Sequence, residues 1–250
     1  MSHYVELIGT PGAGKSTIFK KLEEKWKSSH SWIPQKYLLP SKPKRWKFLS
    51  FLRKSNPKID TQAMREAADR FIAKYPEYMD RCWNNINIRQ KKHCNNLDLR
   101  FDKTNYLYKL IQKIQIVEES NSLKTAVIDE GLIHSIYNSL YWSETEEEEK
   151  KEIKNVLETI PLPKGIVYVK TSFCENIKRL LERKKTNAPH KSLIISDLED
   201  LIRKDREKRT LVIDIIKEYN ISVLLIDSTE DPENTSGEIM QFLDYISILK

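Results

Sequence analysis

The chain is predicted to be an α/β protein, a parallel sheet with helices on both faces. Three observations predict it. Short apolar runs stop at a glycine or an acidic residue, amphipathic stretches lie between them, and a long middle segment has helical periodicity with no clear strand. Strands separated by helices call for right-handed crossovers, which pair strands in parallel.

Residues 3 to 8 read as a strand ending at Gly9, and Lys15 to about Ser29 as a helix with Ile18, Phe19, Leu22 and Trp26 on one face. A second extended segment is expected over Trp32 to Leu39, closed by Pro40 and Pro43. Positions 44 to 120 form a helical insertion, patterned by Ala67, Ala68 and Phe71 up to Pro76, and later by Leu107, Leu110, Ile111, Ile114 and Val117. Thr125 to Asp129 is a strand, followed by helices over about Leu132 to Tyr141 and Glu144 to Glu158. The Glu146–Glu149 run suits a solvated helix N-terminus, where the helix dipole favours acids. The strand Gly165 to Lys170, a basic helix over about Cys174 to Lys185 and a long helix over about Asp197 to Tyr219 come next. A last strand, Ile221 to Ile226, precedes a C-terminal helix from near Thr235. No Gly/Ser/Pro-rich linker brackets the insertion, so residues 1–250 are expected to form one domain.

Composition narrows the function. The chain has 250 residues, 39% hydrophobic and 32% charged, with recurring apolar runs, and it lacks the roughly 18-residue apolar stretch that spans a bilayer. No N-terminal apolar core with a cleavage site is evident, and Cys82, Cys94 and Cys174 are too few and scattered for a disulfide framework. A reducing, cytoplasmic setting is expected. The 43 basic against 36 acidic residues leave +7, a modest excess spread over many helices that suits a small polyanion better than nucleic acid. Cys82, His93 and Cys94 lack zinc-ligand spacing.

Glycine is scarce at 6 residues, yet three fall within Gly9–Thr10–Pro11–Gly12–Ala13–Gly14–Lys15–Ser16, a complete G-x-x-x-x-G-K-[ST] loop between a strand and a helix, with Thr17 behind it. Glycines let successive backbone N–H groups converge on phosphate oxygens at the positive end of a helix. Lys15 is placed to reach β- and γ-phosphates, the Ser16 hydroxyl suits Mg²⁺, and Thr17 is expected on the α-phosphate side. A nucleoside triphosphate site follows.

Asp129 and Glu130 end the second buried strand, at the sheet edge where ligands of open parallel sheets gather. A carboxylate there can hold Mg²⁺ or take a proton from an attacking hydroxyl, or it can merely cap the next helix. Arg179, Arg183, Lys184 and Lys185 crowd one helix beside a polar loop with Asn187, Pro189 and His190, marking a lid-like segment over about residues 179–192. Arg203, Arg206 and Arg209 on the next helix are candidates to join that cluster, with ordinary surface charge as the default, and His134 reads as a surface or partly buried histidine. Arg65, Arg70 and Arg81 are candidates to meet an acceptor, while Phe71, Tyr75 and Trp83 are better read as packing residues.

The Gly9–Thr17 loop, the strand ending Val127–Ile128–Asp129–Glu130–Gly131 and the segment Arg179 to Lys185, in that order, make the chain resemble the P-loop nucleoside and nucleotide kinases, especially the thymidylate kinase and deoxynucleoside kinase group. The resemblance covers residues 40 to 120 poorly. It implies a three-layer P-loop kinase-like fold with a five-stranded parallel sheet in the order 2-3-1-4-5 and a closing lid. It further implies transfer of the γ-phosphate of ATP, with Mg²⁺, to a nucleoside or nucleotide, and an adenine-binding loop at Ser228 to Asp231. One departure bears on the acceptor. The group places an arginine after the first acidic residue of this strand end, and here Glu130 stands in that position. A carboxylate pair suits a neutral hydroxyl better than an anionic monophosphate. The group's acidic base after the second strand also has no clear counterpart.

The expected activity is therefore that of an ATP-dependent small-molecule phosphotransferase with Lys15, Asp129, Glu130, Arg179 and Arg183 as its catalytic set, and Ser16 with Asp129 on the metal. An ATPase working with a macromolecular partner, a kinase of a sugar or another metabolite, and a binding module without turnover stay open, as does homodimerisation. No Asn-Lys-x-Asp or Thr-Lys-x-Asp element supports a GTPase.

Overall fold

The computed structural model describes residues 4–40, 59–92, 97–140, 143, 145–182 and 195–248. Five parallel strands, β1 (Tyr4–Ile8), β2 (Trp32–Pro34), β3 (Thr125–Asp129), β4 (Gly165–Lys170) and β5 (Ser222–Asp227), form one sheet in the order β2-β3-β1-β4-β5. Helices cover both faces: α1 (Lys15–Lys25), α2 (Thr61–Lys74), α3 (Pro76–Lys92), α4 (Leu97–Glu118), α5 (Glu146–Leu157), α6 (Phe173–Leu181), α7 (Ile195–Lys217) and α8 (Pro232–Ile248). This is the three-layer P-loop kinase-like topology.

β1 is the central strand, with Leu7 opposite Asp129 of β3 and Val167 of β4. Alternation along β1 divides the core. Val5 and Leu7 pack with Ile18 and Leu22 of α1 and Ile239 and Leu243 of α8. Tyr4 and Ile8 face the other layer, with Phe71 of α2, Ile111 and Ile114 of α4, Ile153 of α5 and Ile216 of α7. Burial of each such aliphatic side chain contributes roughly 1.5–3 kcal/mol. Glu6 lies on this second face and is itself completely buried.

The local signals set several boundaries. Asp60 caps α2 by accepting from Gln62 and Ala63, and Pro76 starts α3 where its missing N–H costs no helical bond. A capping box between Thr145 and Glu148 opens α5, whose first turn carries the acidic run. Pro232 at the first position starts α8 three residues before the expected Thr235.

Two expected elements differ. The extended segment over Trp32 to Leu39 is a strand only to Pro34, after which Gln35–Tyr37 makes a short 3-10 turn. Pro34 ends β2 at the sheet edge, the place where a residue without an N–H is tolerated. The helix expected over Leu132 to Tyr141 is a series of tight turns with one 3-10 turn at Ile136–Asn138. Its apolar residues Leu132, Ile133, Ile136 and Leu140 are buried as the pattern requires. The Glu6 carboxylate holds the start of this segment, accepting from the backbone of Ile133 (3.1 Å) and His134 (2.5 Å), and the turns continue through i→i−3 bonds such as Ile136 N–H to the Ile133 carbonyl.

Candidate phosphate-binding site

The loop between β1 and α1 wraps a cavity of about 500 Å³ lined by residues 11–17 with Glu130, His134 and Arg179. The loop needs its glycines. Gly12 and Gly14 have φ of 82° and 88°, a left-handed backbone that glycine adopts without a Cβ penalty. A Cβ on Gly9 would overlap the Val169 carbonyl oxygen of β4, and one on Gly12 would come within 2.9 Å of the Asn176 carbonyl. Gly14 precedes the first turn of α1, whose unpaired N–H groups open toward the cavity together with the exposed Ser16 and Thr17.

Lys15 is buried, and its ammonium donates to its own loop, to the carbonyl oxygens of Gly9 (2.7 Å) and Thr10 (3.3 Å). Its third neighbour is Glu130 Oε1 at 3.3 Å. Burial pulls the Lys15 pKa below the usual amine value, and the Glu130 charge opposes that shift. Glu130 has a left-handed backbone, φ 60°, which costs a non-glycine residue about 1 kcal/mol and directs it off the end of β3.

Asp129 is the other half of the pair. Burial, reinforced by the Glu130 charge, pushes its carboxyl up to about 6, and Lys15 only partly offsets this. Asp129 Oδ1 is buried and takes no hydrogen bond from any described residue. A buried carboxylate oxygen without a donor has the chemistry that a divalent cation would satisfy.

Arg179 of α6 reaches over the loop. It donates to Glu175 Oε1 (2.8 Å) within its helix, and to Ser228 Oγ (2.9 Å) and the Ser228 carbonyl (3.1 Å) beyond β5. It therefore joins the phosphate loop to the turn that begins the Ser228–Asp231 segment, and stands held on three bonds. Arg183 and the rest of the lid-like segment to residue 192 lie outside the described residues, as do His93 and Cys94.

The structure brings Gly9 to Thr17, Asp129, Glu130 and Arg179 to one end of the sheet. It leaves the insertion arginines elsewhere: Arg70 donates two hydrogen bonds to the Glu119 carboxylate (2.6 and 2.8 Å), Arg81 pairs with Glu152 (2.9 Å) and Glu77 (3.3 Å), and Arg65 is exposed. Phe71 is a core residue and Tyr75 packs against the core, but Trp83 is 36% exposed and so departs from the packing role its spacing suggested.

Two residues of the site, Glu6 and Asn176, escaped the sequence, and two more were read first as surface charge. Glu6 sits beneath the loop after β3, and burial pushes its carboxyl up to about 7 against the pull of the backbone N–H groups of His134, Ile133 and Gly131. A lone acid within an apolar strand was its signal. Asn176, wholly buried, binds the back of the phosphate loop, donating to the Pro11 carbonyl (2.9 Å). Arg206 and Arg209 of α7, expected as surface charge, are half-buried and bonded toward the site, whereas Arg203 is exposed as expected.

No family model matches the chain, and no curated protein matches it. Among solved structures it is similar to deoxyadenosine kinase from M. mycoides with bound dATP, at 16% identity and a TM-score of 0.40 over 96% of this chain and 99% of that one. The same kinase with bound dCTP matches at 15% identity and a TM-score of 0.42, over 97% of this chain and 99% of that one. No described helix is long and apolar enough to cross a membrane.

Proposed function

We propose that the protein is an ATP-dependent phosphotransferase whose acceptor is a small molecule with a neutral hydroxyl, a nucleoside first. The observation that carries the reading is the pairing of the phosphate loop around Lys15 with a strand end bearing two carboxylates, one of them with an oxygen left without a donor.

In this reading the loop amides and Lys15 bind the β- and γ-phosphates, and Lys15 exchanges its Gly9 and Thr10 carbonyl partners for phosphate oxygens. Asp129 and Ser16 hold Mg²⁺, which supplies positive charge to the phosphate oxygens when bound. Glu130 or Asp129 orients the acceptor hydroxyl and accepts its proton. Arg179 steadies the charge on the transferring group, with Arg183 from the adjoining segment as a second candidate. Two carboxylates at the reacting end would repel a monophosphate acceptor, which favours a nucleoside over a nucleotide. The helices α2 to α4 would form one wall of the acceptor pocket, and the turn at Ser228–Asp231 would face the adenine.

The test is transfer from γ-labelled ATP with Mg²⁺ to a panel of nucleosides, nucleotides and sugars, with Lys15→Ala as control. Label on a nucleoside, lost in the control, is the expected result. Label on a sugar alone would replace the acceptor class, and phosphate release that no acceptor changes would point to an ATPase.

A further inference from the structure

Two arginines one turn apart on α7 bond to different parts of the site, Arg206 to Asn176 behind the phosphate loop and Arg209 to His134 on the cavity wall. Residues three apart on a helix share a face, so Arg206 and Arg209 approach the site together. Their contacts are directional, unlike those of a solvated surface charge.

Arg206 works on the phosphate-loop side. Its Nη1 donates to the Thr171 carbonyl (2.8 Å) and to Asn176 Oδ1 (3.0 Å). Asn176 Oδ1 also accepts from the Thr10 hydroxyl (3.3 Å), and its Nδ2 donates to the Pro11 carbonyl (2.9 Å). With two donors on the oxygen and a carbonyl on the nitrogen, the amide has one orientation. Gly12 packs close against the same residue's backbone. Arg206 thus fixes the side chain that fixes the first half of the loop.

Arg209 works on the strand-end side. Asp205 grips it with two bonds (2.7 and 3.1 Å), its side chain is 12% exposed, and its Nη1 lies 3.1 Å from His134 Nδ1. A guanidinium can only donate, so Nδ1 must accept, and a neutral imidazole then carries its proton on Nε2. Burial and the Arg209 charge both keep His134 neutral. Nε2 is 3.5 Å from Glu130 Oε1, the oxygen that also faces Lys15. Once phosphate takes Lys15, the His134 Nε2–H remains to hold Glu130.

We infer that Arg206 and Arg209 are positioning residues: one face of α7, acting through Asn176 and through His134, holds the phosphate loop and Glu130 in register with each other. This rests on the reading of the cavity as a triphosphate site. Neither arginine needs to touch the nucleotide.

The test uses the whole chain and the variants Arg206→Met, Arg209→Met and, as control, Arg203→Met. It reads the Kd of a fluorescent ATP analogue, kcat and KM of phosphoryl transfer, and the ¹⁵N spectrum of the His134 ring. Arg206→Met should raise the Kd about tenfold, the order expected from losing a charge-assisted hydrogen bond, without changing the His134 spectrum. Arg206→Lys should recover part of the affinity. Arg209→Met should keep the Kd within about twofold, lower kcat about tenfold and abolish the single Nε2–H tautomer. Equal losses of binding and turnover in both variants, or a parent His134 protonated on Nδ1, would overturn the inference. A parent that binds no nucleotide would instead sink the triphosphate reading, and the ring spectrum of the parent and Arg209→Met would still decide the Arg209 arm.

Discussion

The Lys15 ammonium lies 3.3 Å from Glu130 Oε1, so the two groups that would serve a bound triphosphate are partners of each other in this structure. The pair competes with phosphate for the lysine. Glu130→Gln should therefore tighten ATP binding by roughly twofold to fivefold, the worth of a partly exposed ion pair, while lowering transfer to the acceptor by about tenfold or more. Binding of a fluorescent ATP analogue and single-turnover transfer would separate the two effects, and weaker binding in the variant would contradict the competition.

Glu6 gives stability a pH dependence of its own. Its folded pKa of about 7 lies above its ordinary value of 4.5, so the folded state holds the proton more tightly than the unfolded chain. Its contribution is fullest below about pH 4.5 and is lost as pH rises through 7, by an amount on the order of 3 kcal/mol. Urea melts of the parent and Glu6→Gln at pH 5 and pH 8 should show a larger drop in the parent. Parallel curves would remove Glu6 from the account.

Gly131 lies directly against that carboxylate. A Cβ there would sit 2.6 Å from Glu6 Oε2 and 2.7 Å from its Cδ, so Gly131→Ala should destabilise the protein by about 2 kcal/mol. Because the neighbour is a side chain, Glu6→Ser in the same protein should offset part of the loss. A double variant no more stable than Gly131→Ala alone would show that the clash is not with Glu6.

Asp129 pairs a cost to the fold with a use in the site. Its buried, unpartnered oxygen and raised carboxyl pKa mean that Asp129→Asn should stabilise the protein by about 1 kcal/mol in the absence of ligand. The same substitution should lower Mg²⁺-dependent transfer by about a hundredfold or more and raise the Mg²⁺ concentration needed for half-maximal rate. Thermal melts in chelator and a Mg²⁺ titration of the transfer rate check the two halves separately.

The parts of this protein whose physics is local can be read from its residues alone. The phosphate loop is legible because glycines, a lysine and a hydroxyl at fixed spacing between strand and helix have few other uses. The strands around Val5, Val127 and Val167 announced themselves as apolar runs, and runs buried on both faces belong to a parallel sheet. The acidic end of β3 followed from its place at the carboxyl edge. The contacts across crossovers could not be read that way. Glu6 meets His134 at a separation of 128 residues, Asn176 meets Pro11 at 165, and Arg209 meets His134 at 75. Periodicity shows which face of an element is apolar, but not which polar side chain of another element will lie opposite it. The order of the strands and the seating of α7 set that, and they bring Arg206 and Arg209, read first as surface charge, onto Asn176 and His134. The same long-range contact seats the turns after Asp129, where a buried carboxylate on β1 accepts from the backbone of Ile133 and His134.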